Sequence, residues 1–216
     1  MYLCHTSCWL LNQGPLLLWL KDINNWMSGH PNEVVTILLT NPTGASPDIF
    51  RKAVERAGLG DKVYTPPQRG MNMDDWPTLQ EMIDSKRRLV VFLDYGADQN
   101  KVPWLLDEFA YMWETPFSQT DPNFSQCRVD RPHPNTETAT RFSLINHTLN
   151  LDLLPGDDEV LVPAAILAEK SNSRESIMGQ VRLCQAVHEK TLNVVLLDYV
   201  DKGNVMATQN ELNHLV

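Results

Sequence analysis

Four short segments of the chain consist almost entirely of apolar residues, and each of them ends in a polar residue. They cover residues 33–40, 89–94, 142–146 and 193–198. Their length and their content of Val, Leu and Ile are typical of strands that are covered on both faces in a parallel sheet. Residues 2–5 have the pattern of the end of a fifth strand. The pattern therefore predicts a buried sheet with polar side chains at its strand ends.

Helical periodicity fills the intervals between these strands. The clearest example begins at Ser46, a good helix-capping residue, has Pro47 in its first turn and stops at Gly58. Further helices are predicted over residues 15–27, 78–84, 103–113, 174–188 and 203–215. Strands that alternate with helices predict an α/β fold, in which functional residues follow the carboxyl ends of parallel strands. Residues 114–141 are rich in proline without periodicity, which predicts a long loop within one domain.

Composition and charge narrow the possible partners. The chain is 43% hydrophobic and 21% charged, as in soluble globular proteins. A formal net charge of -9 disfavours nucleic acid and broad attraction to anionic membranes, so a phosphate ligand requires a local pocket. Apolar runs of about five residues predict no membrane span, and the first twenty residues, with Cys4, His5 and Cys8 and no basic residue before Lys21, are not interpreted as a signal peptide.

Several motifs resemble, in order, the phosphatidylinositol-specific phospholipase C X-domain family, especially its fungal members. They are LCHTSC, LLNQGPLLLWLKDINNWMSGHPNEVVTILLTN, WPTLQEMIDSKRRLVVFLDYGA, LLDEFAYMWETPF, CRVDRP, LINHTL and NVVLLDYVDKGN. The resemblance implies a TIM-type (β/α) barrel with phosphodiesterase activity. The family's first histidine and the arginine of its following strand have no counterpart before His5. We therefore expect residues 1–216 to form a single barrel domain that is incomplete because its first strands are missing.

The resemblance also implies a mechanism with two imidazoles. An inositol hydroxyl attacks its own phosphodiester and yields a cyclic phosphate, while one histidine acts as base and another as acid. His5 matches the general acid, and Asp198 matches the carboxylate that holds a catalytic histidine in its working tautomer. From the residues alone, the favoured interpretation of His5 is a partly buried strand-end histidine bonded to a backbone carbonyl, and the resemblance is what favours catalysis. Asp198 is likewise readable as a capping or solvated carboxylate.

Other strand-end residues are candidates for contact with the substrate. Asp94 and Tyr95 occupy a position where bacterial relatives often carry a base, and Asn146 with His147 follows a later strand. Asn41, which follows the predicted strand of residues 33–40, is a weaker candidate. The alternative for Asn146 and His147 is a glycan acceptor or a turn whose polar groups are satisfied.

The four cysteines allow two disulfides. A zinc site at Cys4 and Cys8 lacks further clustered ligands, and the acidic calcium cluster of animal relatives has no match, so we expect neither metal nor cofactor. The family's secreted fungal members imply the pairs Cys4–Cys8 and Cys127–Cys184 and an extracellular or cell-surface location. Four reduced thiols are the alternative.

Two functions follow from these observations. The first is a phosphoric diester hydrolase or lyase that acts on phosphoinositide-like lipids. The second is a catalytically inactive, phospholipase C-like fragment that serves as a binding module. The first predicts a phospholipid or inositol phosphodiester substrate, the second predicts a sugar phosphate or a partner protein as ligand, and neither predicts a nucleic acid. Most tryptophans are predicted to pack in the core, with Trp104 and Trp113 as the positions most suited to transient contact with a membrane surface.

Overall fold

The computed structural model describes residues 1–5, 8–9, 11–154 and 160–215, and of His5 and Leu11 it describes the backbone alone. The chain divides into two structural units, Met1–Tyr111 and Met112–Val216, here called unit 1 and unit 2.

Unit 1 holds a parallel sheet and an antiparallel hairpin. Its elements are β1 (Tyr2–His5), β2 (Leu11–Pro15), α1 (Leu16–Gly29), β3 (Val35–Leu39), α2 (Pro47–Arg56), α3 (Leu79–Asp84), β4 (Leu89–Leu93), β5 (Leu105–Asp107) and α4 (Glu108–Tyr111). Strand β4 lies between β3 and β5, with both pairs parallel, and β1 pairs with β2 antiparallel. All five residues of β4 are buried, which explains its uninterrupted apolar sequence.

Local capping signals define the ends of two helices in unit 1. The Ser46 side chain accepts the N–H of Asp48 at the start of α2, and Gly58, with a φ of +75°, follows the end of that helix. Helix α3 starts with a capping box between Thr78 and Glu81. The predictions for these two helices are confirmed.

Unit 2 contains a second parallel sheet. Its elements are β6 (Met112–Glu114), β7 (Phe142–Asn146), β8 (Asn150–Asp152), β9 (Leu161–Pro163), α5 (Ala168–Ser171), α6 (Arg174–His188), β10 (Val194–Leu196) and α7 (Val205–Leu212). Strand β7 pairs in parallel with β10 on one side and β6 on the other, while β8 and β9 form an antiparallel pair.

The expected TIM-type barrel, complete or incomplete, is wrong for the residues that the structure describes. Their strands form two three-stranded parallel sheets and two two-stranded antiparallel sheets, and no set of strands closes into a barrel. The physical reason lies in the hairpins: β1 pairs with the strand that follows it, and β8 does the same, so neither extends a parallel sheet. Apolar periodicity identifies strands but does not specify their partners.

The prediction of a helix over residues 103–113 is also wrong. This segment forms strand β5, the four-residue helix α4 and the start of strand β6. The side chains of Leu105 and Leu106 are both fully buried, and the Asp107 carboxylate accepts the N–H of Phe109 at the start of α4. Adjacent buried leucines suit a strand that is covered on both faces, and a short apolar run does not distinguish this from a buried helix.

The tryptophan prediction requires correction. Trp113 is fully buried, and Trp104 packs partly buried against the core of unit 1. The tryptophans that face solvent are instead Trp9, Trp19 and Trp26. In the part of the chain that the structure covers, we find no helix with the length and apolar character needed to cross a lipid bilayer.

Both expected disulfides, Cys4–Cys8 and Cys127–Cys184, are present. The second joins the long loop of residues 114–141 to helix α6, and its two cysteines pack in a buried cluster with Trp113 and Ile145. The loop prediction is confirmed, and the disulfide explains how a segment with little regular structure is held against the rest of unit 2.

Candidate functional site

In unit 1, the predicted residues Asn41, Asp94 and Tyr95 lie together at the carboxyl ends of β3 and β4. One carboxylate oxygen of Asp94 accepts the backbone N–H of Asn41 and that of Tyr95, each over 2.7 Å. The Asn41 amide nitrogen donates to the carbonyl oxygens of Ala45 and Tyr95, both at 3.0 Å. The side chains of Asn41 and Asp94 thus stabilise the loops that follow their strands.

Exposure separates the three residues of this group. Asn41 and Asp94 are buried, whereas Tyr95 is 51% exposed and lies beside the ring of Phe109. Because Gly96 has a φ of +79°, the chain turns sharply after Tyr95. Tyr95 is therefore the member of the group that a ligand in solution can reach.

In unit 2, three adjacent parallel strands end at one edge of the sheet. Glu114 ends β6, Asn146 ends β7, and Asp198 follows β10 by two residues. The register pairs Glu114 with Leu144 and Asn146 with Leu196. Polar residues at the ends of all three strands therefore lie at the same edge of the sheet. The sequence predicted this strand-end position for Asn146 and Asp198.

A group of hydrogen-bonded side chains at this edge joins Glu114, Arg131 and Asn146. Arg131 Nε donates to Glu114 Oε2 over 2.9 Å, and its Nη2 makes a second contact with the same oxygen. Asn146 Nδ2 donates to Glu114 Oε2 at 3.2 Å and to the Thr115 carbonyl at 2.8 Å. Glu114 is 1% exposed, so a buried carboxylate fixes the direction of the arginine.

The Arg131 side chain keeps 25% of its surface accessible to solvent. Its guanidinium carbon lies 4.5 Å from the centroid of the Phe117 ring, which is itself about half exposed. A planar cation held against an aromatic ring is suited to binding phosphate oxygens. We call Glu114, Phe117, Arg131 and Asn146 the arginine cluster.

Sequence reasoning missed Glu114, Phe117 and Arg131. Glu114 and Arg131 are 17 positions apart across a loop without periodicity, and their backbones meet in an isolated antiparallel bridge. The only available signal was that the motifs LLDEFAYMWETPF and CRVDRP, which end at Phe117 and Pro132, occur in the same order as in the family. The resemblance assigned no role to their residues.

His147 makes contacts typical of a packed histidine. It is 1% exposed, its Nδ1 lies 2.5 Å from the Gln180 carboxamide, and its Nε2 lies 2.8 Å from the Ser171 carbonyl. The ring stacks on Phe124 with centroids 3.7 Å apart. Burial lowers the pKa of His147 because the charged form is poorly solvated. Its membership of a substrate site stays a prediction, and these contacts are typical of a histidine that stabilises the fold.

The loop that carries Asp198 is held by Asn172. Asn172 Nδ2 donates to the carbonyl oxygens of Asp198 at 2.7 Å and Tyr199 at 3.0 Å, and its own carbonyl accepts the N–H of Asn204 at 2.9 Å. Asn172 is 1% exposed. The half-buried Asp198 thus lies on a backbone with defined hydrogen bonds, although its catalytic role stays a prediction.

His5 ends strand β1, where its backbone pairs with Leu11. Its side chain lies outside the described part of the chain, so its assignment as general acid rests on the resemblance alone. Within the described ranges, no three His, Cys, Asp or Glu side chains come together as metal ligands.

Comparison with known proteins identifies the family. The family model "PI-PLC X 1", of the PI-PLC X domain, matches residues 1–213. The chain is 40% identical over 217 residues to PI-PLC X domain-containing protein 1 of Arthroderma benhamiae, covering 99% of this chain and 69% of that protein. It is also 40% identical over 210 residues to an uncharacterized secreted protein of that fungus, covering 95% of this chain and 47% of the relative.

A PI-PLC X domain-containing protein of Arabidopsis thaliana is 30% identical over 125 residues, covering 52% of this chain and 26% of the plant protein. The chain therefore spans about two thirds of the first relative's length and about half of the second's. No solved structure matches the chain. The family match over nearly every residue confirms the predicted relationship: the chain belongs to the PI-PLC X domain family.

Proposed function

We propose that residues 1–216 act as one PI-PLC X domain that binds the inositol phosphate head group of a phospholipid outside the cell and cleaves its phosphodiester bond. The observation that carries the proposal is the arginine cluster of unit 2. Family membership supports the phospholipase C-like chemistry. A relative named as a secreted protein, together with two disulfides, supports the extracellular location.

Arg131 supplies the positive charge that the phosphodiester requires. The whole chain carries a net charge of -9, so its summed field repels a phosphate, and binding depends on a local cation. The bond to buried Glu114 fixes the guanidinium before a ligand arrives, which reduces the ordering cost of binding. The accessible part of the side chain, which lies against the Phe117 ring, is assigned to contact with the phosphate.

The proposed reaction is an internal displacement at phosphorus. An inositol hydroxyl oxygen forms a bond to phosphorus while the bond from phosphorus to the lipid oxygen breaks, giving a cyclic phosphate and a free lipid alcohol. His5 donates the proton that the departing lipid oxygen takes up. Asp198 is assigned the role of the family's carboxylate that holds a catalytic histidine in its working tautomer. The hydroxyl proton passes to a water molecule, because no residue of this sequence matches the histidine that the family uses as base.

Substrate contact in unit 1 is assigned to the exposed side chain of Tyr95. Asn41 and Asp94 hold its loop through the hydrogen bonds of their side chains. In unit 2, Asn146 contributes through its amide, which bonds to Glu114 and so helps to set the direction of Arg131.

A second candidate function is recognition of the same head group without cleavage. It is favoured by the engagement of Asp94, Asn41 and His147 with protein atoms, which gives these strand ends a supporting role. Both functions use the arginine cluster, and only the first requires proton transfer by His5.

The test incubates the purified chain with vesicles that contain phosphatidylinositol. Phosphorus NMR measures cyclic and open inositol phosphate, and cosedimentation measures vesicle binding. Catalysis predicts product from the wild-type chain and its loss in His5→Ala, while His30→Ala, an exposed histidine, retains the rate. Binding without product supports the second candidate, and absence of both contradicts the proposal.

A further inference from the structure

The chain contains two acceptor sequences for N-linked glycans, Asn123-Phe124-Ser125 and Asn146-His147-Thr148. Sequence alone does not choose between them, since both have the required hydroxyl residue two positions after asparagine. Their structural surroundings differ in accessibility and in the hydrogen bonds of the asparagine and its neighbours.

Asn146 has no room for a sugar in the folded chain. It is 2% exposed, and its amide nitrogen donates to Thr115 and Glu114 in the arginine cluster. A glycan replaces one hydrogen of that nitrogen with a bulky polar group. Its attachment would break these buried bonds and open the end of β7, which is incompatible with the described packing.

Asn123 lies in an exposed turn of the long loop. The Asp121 carboxylate accepts the N–H of Asn123 at 2.9 Å, and from Ser125 it accepts the N–H at 3.0 Å and the hydroxyl at 2.5 Å. Between them, Phe124 has a φ of +48°, is 1% exposed and stacks on His147. The buried phenylalanine therefore anchors the turn while the asparagine stays at the surface.

A disulfide in the same loop is consistent with passage of the chain through the secretory pathway. Cys127 follows Ser125 by two positions and is bonded to Cys184 in helix α6. Such disulfides form in the oxidising compartments in which N-linked glycans are attached. The exposed acceptor and the disulfide are independent observations on one short segment.

We propose that Asn123 carries an N-linked oligosaccharide and that Asn146 carries none. In the transfer, the Asn123 amide nitrogen forms a bond to the anomeric carbon of an oligosaccharide carried on a lipid pyrophosphate. The bond from that carbon to the pyrophosphate oxygen breaks, the lipid pyrophosphate leaves, and the amide nitrogen loses one proton. The proposal depends on secretion and is independent of catalysis.

To test this, the chain is expressed in yeast with a secretion leader sequence. The secreted product is treated with peptide N-glycosidase in heavy-oxygen water. This treatment converts a glycosylated asparagine into labelled aspartate, which peptide mass spectrometry locates. We expect the label at position 123 alone. Asn123→Gln should abolish the mobility shift caused by the enzyme, while Thr148→Ala, which removes only the second acceptor, should retain it.

Ser125→Thr keeps the first acceptor sequence and should retain the glycan, which separates loss of the acceptor from disturbance of the turn. An unlabelled Asn123 in the secreted wild-type chain would overturn the proposal. So would a label at Asn146 or a full mobility shift in the Asn123→Gln variant.

Discussion

The buried amide of Asn172 donates to the carbonyl oxygen of Asp198 over 2.7 Å, so the residue after helix α5 holds the loop that carries the proposed catalytic carboxylate. The same amide bonds to Tyr199, and the Asn172 carbonyl accepts the N–H of Asn204. One side chain and its backbone thus tie together both ends of the segment 198–204. Asn172 is a positioning residue in this account.

Replacement of Asn172 by alanine removes the two amide bonds and leaves two backbone carbonyls without this donor. We expect a loss of about 1–3 kcal/mol in the free energy of unfolding. Amide hydrogen exchange should accelerate in residues 198–204, and kcat for inositol phosphate release should fall with little change in KM. Asn213→Ala, which removes an exposed amide bonded to Gln209, is the control and should alter neither exchange nor kcat. Unchanged exchange in residues 198–204 would rule out the positioning role even if the chain has no catalytic activity.

Gly203 approaches Asn172 too closely for any side chain. A Cβ built on Gly203 lies 2.4 Å from the Asn172 carbonyl oxygen, and the φ of Gly203 is +74°. We therefore expect Gly203→Ala to destabilise the chain by at least about 1 kcal/mol in urea denaturation.

Gly179 provides the matched control for this substitution. It lies in helix α6, and a Cβ placed there meets no atom within 4 Å. Gly179→Ala should be neutral or should stabilise the chain by up to about 1 kcal/mol, because alanine favours a helix. Equal effects of the two alanines would refute the described contact at Gly203.

The buried His147 predicts a pH dependence of stability. Burial lowers its pKa from the usual value of 6.5, so below pH 6.5 the unfolded chain binds a proton that the folded chain does not. Its contribution to stability is present above pH 6.5 and is lost as the pH falls towards the lowered pKa, by at most about 1.4 kcal/mol per pH unit. Denaturant titrations at several pH values should show a weaker acid dependence in His147→Gln, and an unchanged one in His133→Gln, whose ring is exposed. A wild-type acid slope in His147→Gln would contradict this reading.

The two disulfides should contribute unequally to stability. Their cysteines are 57 positions apart for Cys127–Cys184 and four for Cys4–Cys8. A longer closed loop restricts the unfolded chain more, which gives about 4 kcal/mol for the first and about 2 kcal/mol for the second. Chemical denaturation of the two double alanine variants measures the difference. A greater loss from removal of Cys4–Cys8 would contradict the prediction.

Sequence patterns predicted the elements whose signals are local. The four apolar runs correspond to strands β3, β4, β7 and β10, and helix α6 has the predicted bounds. Each of these signals lies within one segment, as a capping residue, a glycine or a continuous buried run. The disulfide pairs followed from the resemblance, not from the spacing of the cysteines.

Features that depend on contacts between distant segments were not predictable in this way. Residues 105–114 combine two short buried strands with one helical turn, and their apolar pattern fits a single helix equally well. The bond from Arg131 to Glu114 crosses a loop with no periodicity, and Asn172 bonds to residues 26 and 27 positions away. The predicted closure of the strands into a barrel was wrong for the same reason, because contacts between distant segments determine which strands pair.

The central claim is that Arg131 binds the phosphate of an inositol phospholipid, and the most direct measurement compares Arg131→Ala with Arg128→Ala. Arg128 is a neighbouring arginine whose side chain is 60% exposed and pairs with Asp130. The initial rate of inositol phosphate release from phosphatidylinositol vesicles should fall about a hundredfold in Arg131→Ala, since one donor to developing charge is lost. Arg128→Ala should keep the wild-type rate. Equal rates in Arg131→Ala and the wild-type chain would contradict the claim about Arg131, and no release by the wild-type chain would contradict the proposed cleavage.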